Sequence, residues 1–209
     1  MENTASLELL PDDVLKEIYL LEEHAKRLET RERAQEEFMS YVHHVYDNFI
    51  EGTHHRIISE KLERIAKGEL KRLIVNMPPR HSKSEFASYL MPSWFLGRNP
   101  KLKIIQATMN TELAVRFGRK VRDLIADPKY REVFPNTDLK PDSQAAGRWE
   151  TAAGGEYFAA GVGAAMTGRG ADLLIIDDPH SEQDALSTTA YDNAYEWYTS
   201  GPRQRLQPG

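Results

Sequence analysis

Cysteine is absent from these 209 residues. That excludes disulfides, thiolate catalysis and thiolate-bound metals, and it suits a reducing compartment. Long apolar runs are missing too, since none approaches the roughly 18 residues that mark a membrane-spanning helix. The opening stretch, MENTASLELLPDD, lacks the basic and apolar regions of a signal peptide. The seven histidines include the pairs His43–His44 and His54–His55, but no HExxH or similar zinc spacing occurs. No internal repeat or low-complexity segment is present. What remains is 40% apolar and 28% charged, the composition of a globular chain with length for one sizeable domain and an appendage.

The formal net charge of −5 taken alone argues against a nucleic-acid binder. Its distribution says otherwise. Residues 1–50 hold five Lys or Arg against twelve Asp or Glu, a net of −7, which leaves 22 against 20, or +2, for residues 51–209. The acidity is local, and such asymmetry marks separate contact surfaces. Residues 1–50 read as an acidic helical segment. Pro11 opens a helix with Asp12 and Asp13 at its positive end, and Val14, Ile18, Leu21, Ala25 and Leu28 form its apolar stripe. Thr30 is placed to cap a second helix through about residue 50, with Phe38, Tyr41, Val42, Val45 and Phe49 inward.

Beyond Gly52 strands and helices alternate. Residues 55–68 read as a helix stopped by Gly68, and LKRLIVNM (70–77) as the first strong strand. SKSEFASYLMPSWFLG (82–97) reads as a helix with Phe86, Leu90 and Trp94 at four-residue steps, kinked or ended by Pro92 and stopped by Gly97. LKIIQAT (102–108), GEYFAAGVG (155–163) and ADLLIIDD (171–178) read as further strands. Helices are expected over 110–127, with Leu113, Phe117, Val121 and Leu124 inward, and over 189–200. Continuous apolar strands alternating with helices imply an α/β fold with a mainly parallel sheet covered on both faces.

Ligands of such sheets bind at the carboxyl ends of the strands, where NMPPRHSKS and IIDDPH both fall. The first ends in Lys83–Ser84, as a phosphate-binding loop does, although its two glycine positions hold Met77 and Ser82. Pro78 and Pro79 stiffen the loop, Arg80 and His81 add positive charge, and the N–H groups of the following helix point at an anion. Ser82 is strained if the backbone there needs a positive φ. LLIIDD (173–178) is a hydrophobic strand ending in carboxylates, the shape of the second ATPase motif. Separately each is ordinary, a Lys-Ser turn and a core strand running into an acidic turn. Together they favour a nucleoside triphosphatase.

These residues resemble the ATPase domain of the large terminase subunit of tailed bacteriophages. The likeness spans about residue 49 to the end and rests on GELKRLIVNMPPRHSKSE (68–85), FLGRNPKLKIIQAT (95–108), FGRKVRDLI (117–125), RWETAAGGEYFAAGVGAAMTGRGADLLIIDDPHS (148–181) and RQRLQPG (203–209). It implies a P-loop NTPase of the additional-strand, RecA-like class that uses ATP and Mg²⁺ to drive double-stranded DNA into a procapsid. Pro79, Arg80, His81, Ser82, Lys83 and Ser84 would line the phosphates, with Lys83 on the β- and γ-phosphates and Arg80 sensing the γ-phosphate. Ser84 and Asp177 would hold the metal. Asp178 stands where the family commonly has Glu and would position the attacking water, with Glu182 as the alternative. Arg169 resembles the finger arginine offered to a neighbouring subunit, though a GRG stretch also reads as a turn or a DNA-phosphate contact. No upstream adenine-site Gln is evident; Phe49, His54 and His55 are candidates for the base or for core packing.

The same likeness implies self-association into a ring, a portal protein and a small terminase subunit as partners, and the host cytoplasm as the location. DNA contact through phosphates would use Arg116, Arg119, Lys120 and Arg122, or these residues form a solvated helix face. A coupling motif and a nuclease domain are expected only beyond residue 209, so DNA cleavage is not expected of this stretch. Two alternatives stand beside the motor: another translocase or helicase of the class, and a scaffold or adaptor module that keeps the fold for assembly.

Overall fold

In a computed structural model of the chain, residues 10–166 and 168–207 are described. Residues 1–9 of the acidic segment, Thr167 of the TGRGAD stretch and the last two residues of RQRLQPG lie outside them. The architecture is α/β, an open five-stranded mixed sheet flanked by helices, in the order β2-β3-β4-β1-β5. At its centre, β1 (Lys103–Thr108) pairs in parallel with β4 (Glu156–Gly161) on one side and β5 (Leu173–Asp177) on the other. β2 (Leu139–Ala145) and β3 (Arg148–Thr151) extend the sheet antiparallel.

Sequence expectation and structure differ at several points. The sheet is mixed, because the polar stretch around Gly147 forms a hairpin that adds two antiparallel strands. LKRLIVNM (70–77) alternates in burial, with Leu73, Val75 and Met77 against the core and Ile74 86% exposed, yet it joins no strand among the described residues. Leu173–Ile176 are only half-buried, because β5 is the last strand of the sheet. Thr30 caps nothing: its hydroxyl donates to the Lys26 carbonyl inside α1 (Asp12–Glu36). The break falls at Glu37, and the N-terminus of α2 (Phe38–Val45) is met by Glu63, which accepts from the Phe38 N–H at 2.8 Å.

A further difference lies after the Lys-Ser pair. Residues 85–90 form a π-helical stretch that continues directly into α4 (Met91–Arg98). Pro92 has no N–H to give the Ser88 carbonyl, and its ring crowds that carbonyl. Widening to a five-residue turn, with the Met91 N–H donating to the Phe86 carbonyl, lets the helix run through the proline. Gly97 lies inside α4. A Cβ there would come within 2.4 Å of the Phe134 ring, so it serves close packing rather than termination.

Of the expected α1 stripe, Val14 and Ile18 are half-buried while Leu21, Ala25 and Leu28 are exposed, and the second helix stops at Val45 rather than near residue 50. α3 (Thr53–Ala66) ends at Gly68, whose φ of 73° lets the Gly68 and Glu69 N–H groups bond back to the Ile65 and Arg64 carbonyls. α5 (Thr111–Ala126) is capped by Asn110, but its buried face is Ala114, Gly118, Val121, Leu124 and Ile125, with Leu113 and Phe117 half-buried. After the short α6 (Pro128–Val133) comes the hairpin, and α7 (Thr188–Ser200) follows β5.

One face of the sheet carries the main core. Ala34, Phe38, Tyr41 and Val42 share it with Leu90, Trp94, Val121, Tyr130 and Trp149. Tyr41 Oη and Ser93 Oγ lie 2.6 Å apart, and Trp94 Nε1 donates to the Ala34 carbonyl at 3.0 Å. Trp149 stacks on Tyr157 at 4.9 Å and donates to the Gly118 carbonyl, joining β3, β4 and α5. On the other face Ile105, Ala107, Phe158, Leu174 and Ile176 pack with Met166 and Trp197. Among the described residues, no helix is long and apolar enough to cross a membrane.

Candidate functional site

Parallel pairing sets where the carboxylates of β5 emerge. Asp177 is in register with Thr108, the last residue of β1, so both acids stand at the carboxyl edge of the central strands. Opposite lies the loop 76–84. Lys83 Nζ bonds Asp178 Oδ1 at 2.5 Å and stands 3.8 Å from Asp177 Oδ1, across 95 residues of sequence for the closer pair. The two carboxylates differ in setting. Asp177 is 6% exposed and Asp178 64%. Asp177 Oδ2 accepts from the Ser88 hydroxyl at 2.8 Å, which leaves Oδ1 turned toward Lys83. Ser88 was not among the residues picked from sequence.

Ser82, at the second glycine position, has a φ of 62°, and Arg80 has 63°. Both adopt the left-handed conformation that a glycine would reach without strain. Asp178 also has a positive φ, 43°. Such residues persist only where their surroundings over-determine them, and they concentrate at functional sites. His81 is anchored by a 2.9 Å contact between Nδ1 and the Pro79 carbonyl. Pro79 and Arg80 are exposed, whereas Ser82 and Ser84 are half-buried.

Beside the loop is an aromatic and imidazole cluster. Phe49 packs edge-on to His55 at 4.8 Å, His55 stacks on Phe86 at 4.9 Å, and His54 lies 3.9 Å from His55 and 5.6 Å from His81. His55 Nδ1 accepts from the Gly52 N–H at 2.9 Å. The Nε2 atoms of His54 and His55 are buried without a hydrogen-bond partner among the described residues. Burial, reinforced by neighbouring His54, holds the His55 pKa below the usual histidine value.

The remaining candidates lie elsewhere. Arg169 is ion-paired to Glu156 and set over the Phe158 ring at 4.0 Å. Glu156 pairs with Lys103, at the start of β1, so Arg169 sits toward the opposite end of the strands from Asp177. Glu182 is exposed, in a turn fixed by Ser181 and Asp184. On α5, Arg116 and Arg119 are exposed. Lys120 is tied to Glu85 at 2.8 Å, and Arg122 to the Gln144 carbonyl and Asp123.

Among the described residues, no group of three or more His, Asp or Glu could hold a metal ion. A magnesium ion brought by a nucleotide does not require one, since it keeps several waters and uses one or two protein oxygens plus phosphates. Asp177 Oδ1, with its partner oxygen already bonded, fits that role. The sequence matches no protein-family model, and no curated protein matches it.

Proposed function

We propose that this chain is the ATPase core of a DNA-packaging motor like that of the large terminase subunit of tailed bacteriophages, a P-loop NTPase of the additional-strand, RecA-like class. One observation carries the reading: Lys83 meets Asp177 and Asp178 where a hydrophobic strand ends and a helix begins. A lysine for phosphate, a carboxylate for Mg²⁺ and a second carboxylate for water are what in-line hydrolysis needs side by side.

In this reading a triphosphate settles over residues 79–84, with Lys83 exchanging Asp178 for phosphate oxygens. That exchange releases Asp178, on an exposed turn, to orient and deprotonate the attacking water. Ser84 and Asp177 would hold Mg²⁺, which would supply charge neutralisation at the phosphates. Arg80 reaches the γ-phosphate from the loop, and Phe49, His54 and His55 border the base. Arg169, toward the far end of the strands, serves a neighbouring subunit's nucleotide in a ring. The DNA would be held through its phosphates, with Arg116 and Arg119 as the exposed contacts, so binding weakens steeply with salt. Portal and small-subunit contacts, and a place in the host cytoplasm, belong to the same proposal.

ATP turnover by the wild type, Lys83→Ala and Asp178→Asn tests it. Loss of turnover in both variants supports the reading, and turnover unchanged in both overturns the site assignment. The 2.5 Å Lys83–Asp178 pair also suits a scaffold module whose site is closed on itself. That reading predicts assembly without measurable turnover in the wild type.

A further inference from the structure

Ser88 is fully buried within the π-helical stretch, as are Phe86 and Leu90. A hydroxyl among such neighbours carries a desolvation cost unless it is bonded. Its partner is Asp177 Oδ2, at 2.8 Å and 89 residues away in sequence. An ionised carboxylate only accepts, so the serine proton points to Asp177.

We infer that Ser88 is a positioning residue for the metal-binding carboxylate: it occupies Oδ2 of Asp177 and presents Oδ1 alone to the ion. This rests on the nucleotide-site reading above. Two side-chain contacts join the loop helix to the end of β5, Lys83 with the two aspartates and Ser88 with Asp177. The first must open when Lys83 turns to phosphate. The second has no such competitor, so it keeps the orientation of Asp177 while nucleotide enters and leaves. The Pro92-associated π turn is part of the device, because Ser88 lies within the stretch whose winding it changes. Groups that hold a metal ligand from behind typically contribute 10- to 100-fold to metal affinity when removed.

The test compares Ser88→Thr with Ser88→Val, which share a shape and differ by the hydroxyl, and adds Ser88→Ala as the smaller variant should branching crowd the helix. Mn²⁺ binding is read by electron paramagnetic resonance with a non-hydrolysable ATP analogue. Analogue binding without metal is measured separately. The expected result is Mn²⁺ affinity within about twofold of wild type for Ser88→Thr and at least roughly tenfold weaker for Ser88→Val and Ser88→Ala, with metal-free analogue binding unchanged. Equal Mn²⁺ affinity in the Thr and Val variants overturns the role of Ser88 while the site stands, provided that Asp177→Asn abolishes Mn²⁺ binding. If the wild type itself binds neither analogue nor Mn²⁺, the nucleotide-site reading fails and this inference with it.

Discussion

Replacing Ser82 with glycine should stabilise the protein, against the usual direction for a glycine substitution. The backbone of Ser82 has a φ of 62°. A left-handed conformation costs an L-residue roughly 1–2 kcal/mol, which glycine escapes. Glycine in turn loses about 0.5–1 kcal/mol more backbone entropy on folding. The expected net gain is about 0–1.5 kcal/mol, with a midpoint near 0.75, and at roughly 2–4 °C per kcal/mol for a chain this long, Tm rises by up to about 6 °C. Two residues along, Ser84 has an ordinary helical φ of −69°. There the same replacement relieves no strain and should cost about 0.5–1 kcal/mol. Urea unfolding of Ser82→Gly and Ser84→Gly, followed by the fluorescence of buried Trp94 and Trp149, should shift the midpoint in opposite directions with unchanged slope. If Ser82→Gly destabilises as much as Ser84→Gly, the loop is not held left-handed at Ser82. The claim that its backbone keeps a glycine-like shape without glycine is then wrong.

Gly97→Ala should destabilise by about 1–3 kcal/mol, the usual cost of forcing a methyl into a packed site, because its Cβ would meet the Phe134 ring; calorimetry of the variant checks this. His55 should make stability fall in mild acid. Its folded pKa lies below the ordinary value of about 6.5, so the unfolded chain binds the proton more readily. Its contribution is complete above about pH 6.5 and is lost as pH falls from there through the lower folded value. Urea midpoints at about pH 7.5 and 5.5 should therefore differ more in the wild type than in His55→Phe, which keeps a ring between Phe49 and Phe86.

The pairing of Lys83 with Asp177 and Asp178 was legible because each motif follows an apolar run, and strand ends in an α/β sheet converge on one edge. β1, β4 and β5 were legible as apolar runs, and α5 from the spacing of its apolar residues. The hairpin of β2 and β3 was not, since LKPDSQA is polar and its strand character comes from pairing with β3 rather than from its own residues. LKRLIVNM shows the converse. Its composition is that of a strand, but pairing depends on a neighbour, and among the described residues it pairs with no strand. The placement of the α1 break turned on Glu63, which bonds the Phe38 N–H from another helix, a contact no local reading reveals. Ser88 left a weaker trace: a serine within the apolar-rich run FASYLM needs a polar partner if that run is buried on all sides. Which partner it finds is tertiary information.

The account stands on a triphosphate and its metal being held between the 79–84 loop and Asp177. Calorimetric titration of the chain with ATP and Mg²⁺, repeated on Lys83→Ala and Asp177→Asn, measures this most directly. The account predicts one nucleotide per chain and affinity at least about tenfold weaker in each variant, as loss of a direct charged contact implies. No binding by the wild type, or equal affinity in all three proteins, would contradict it.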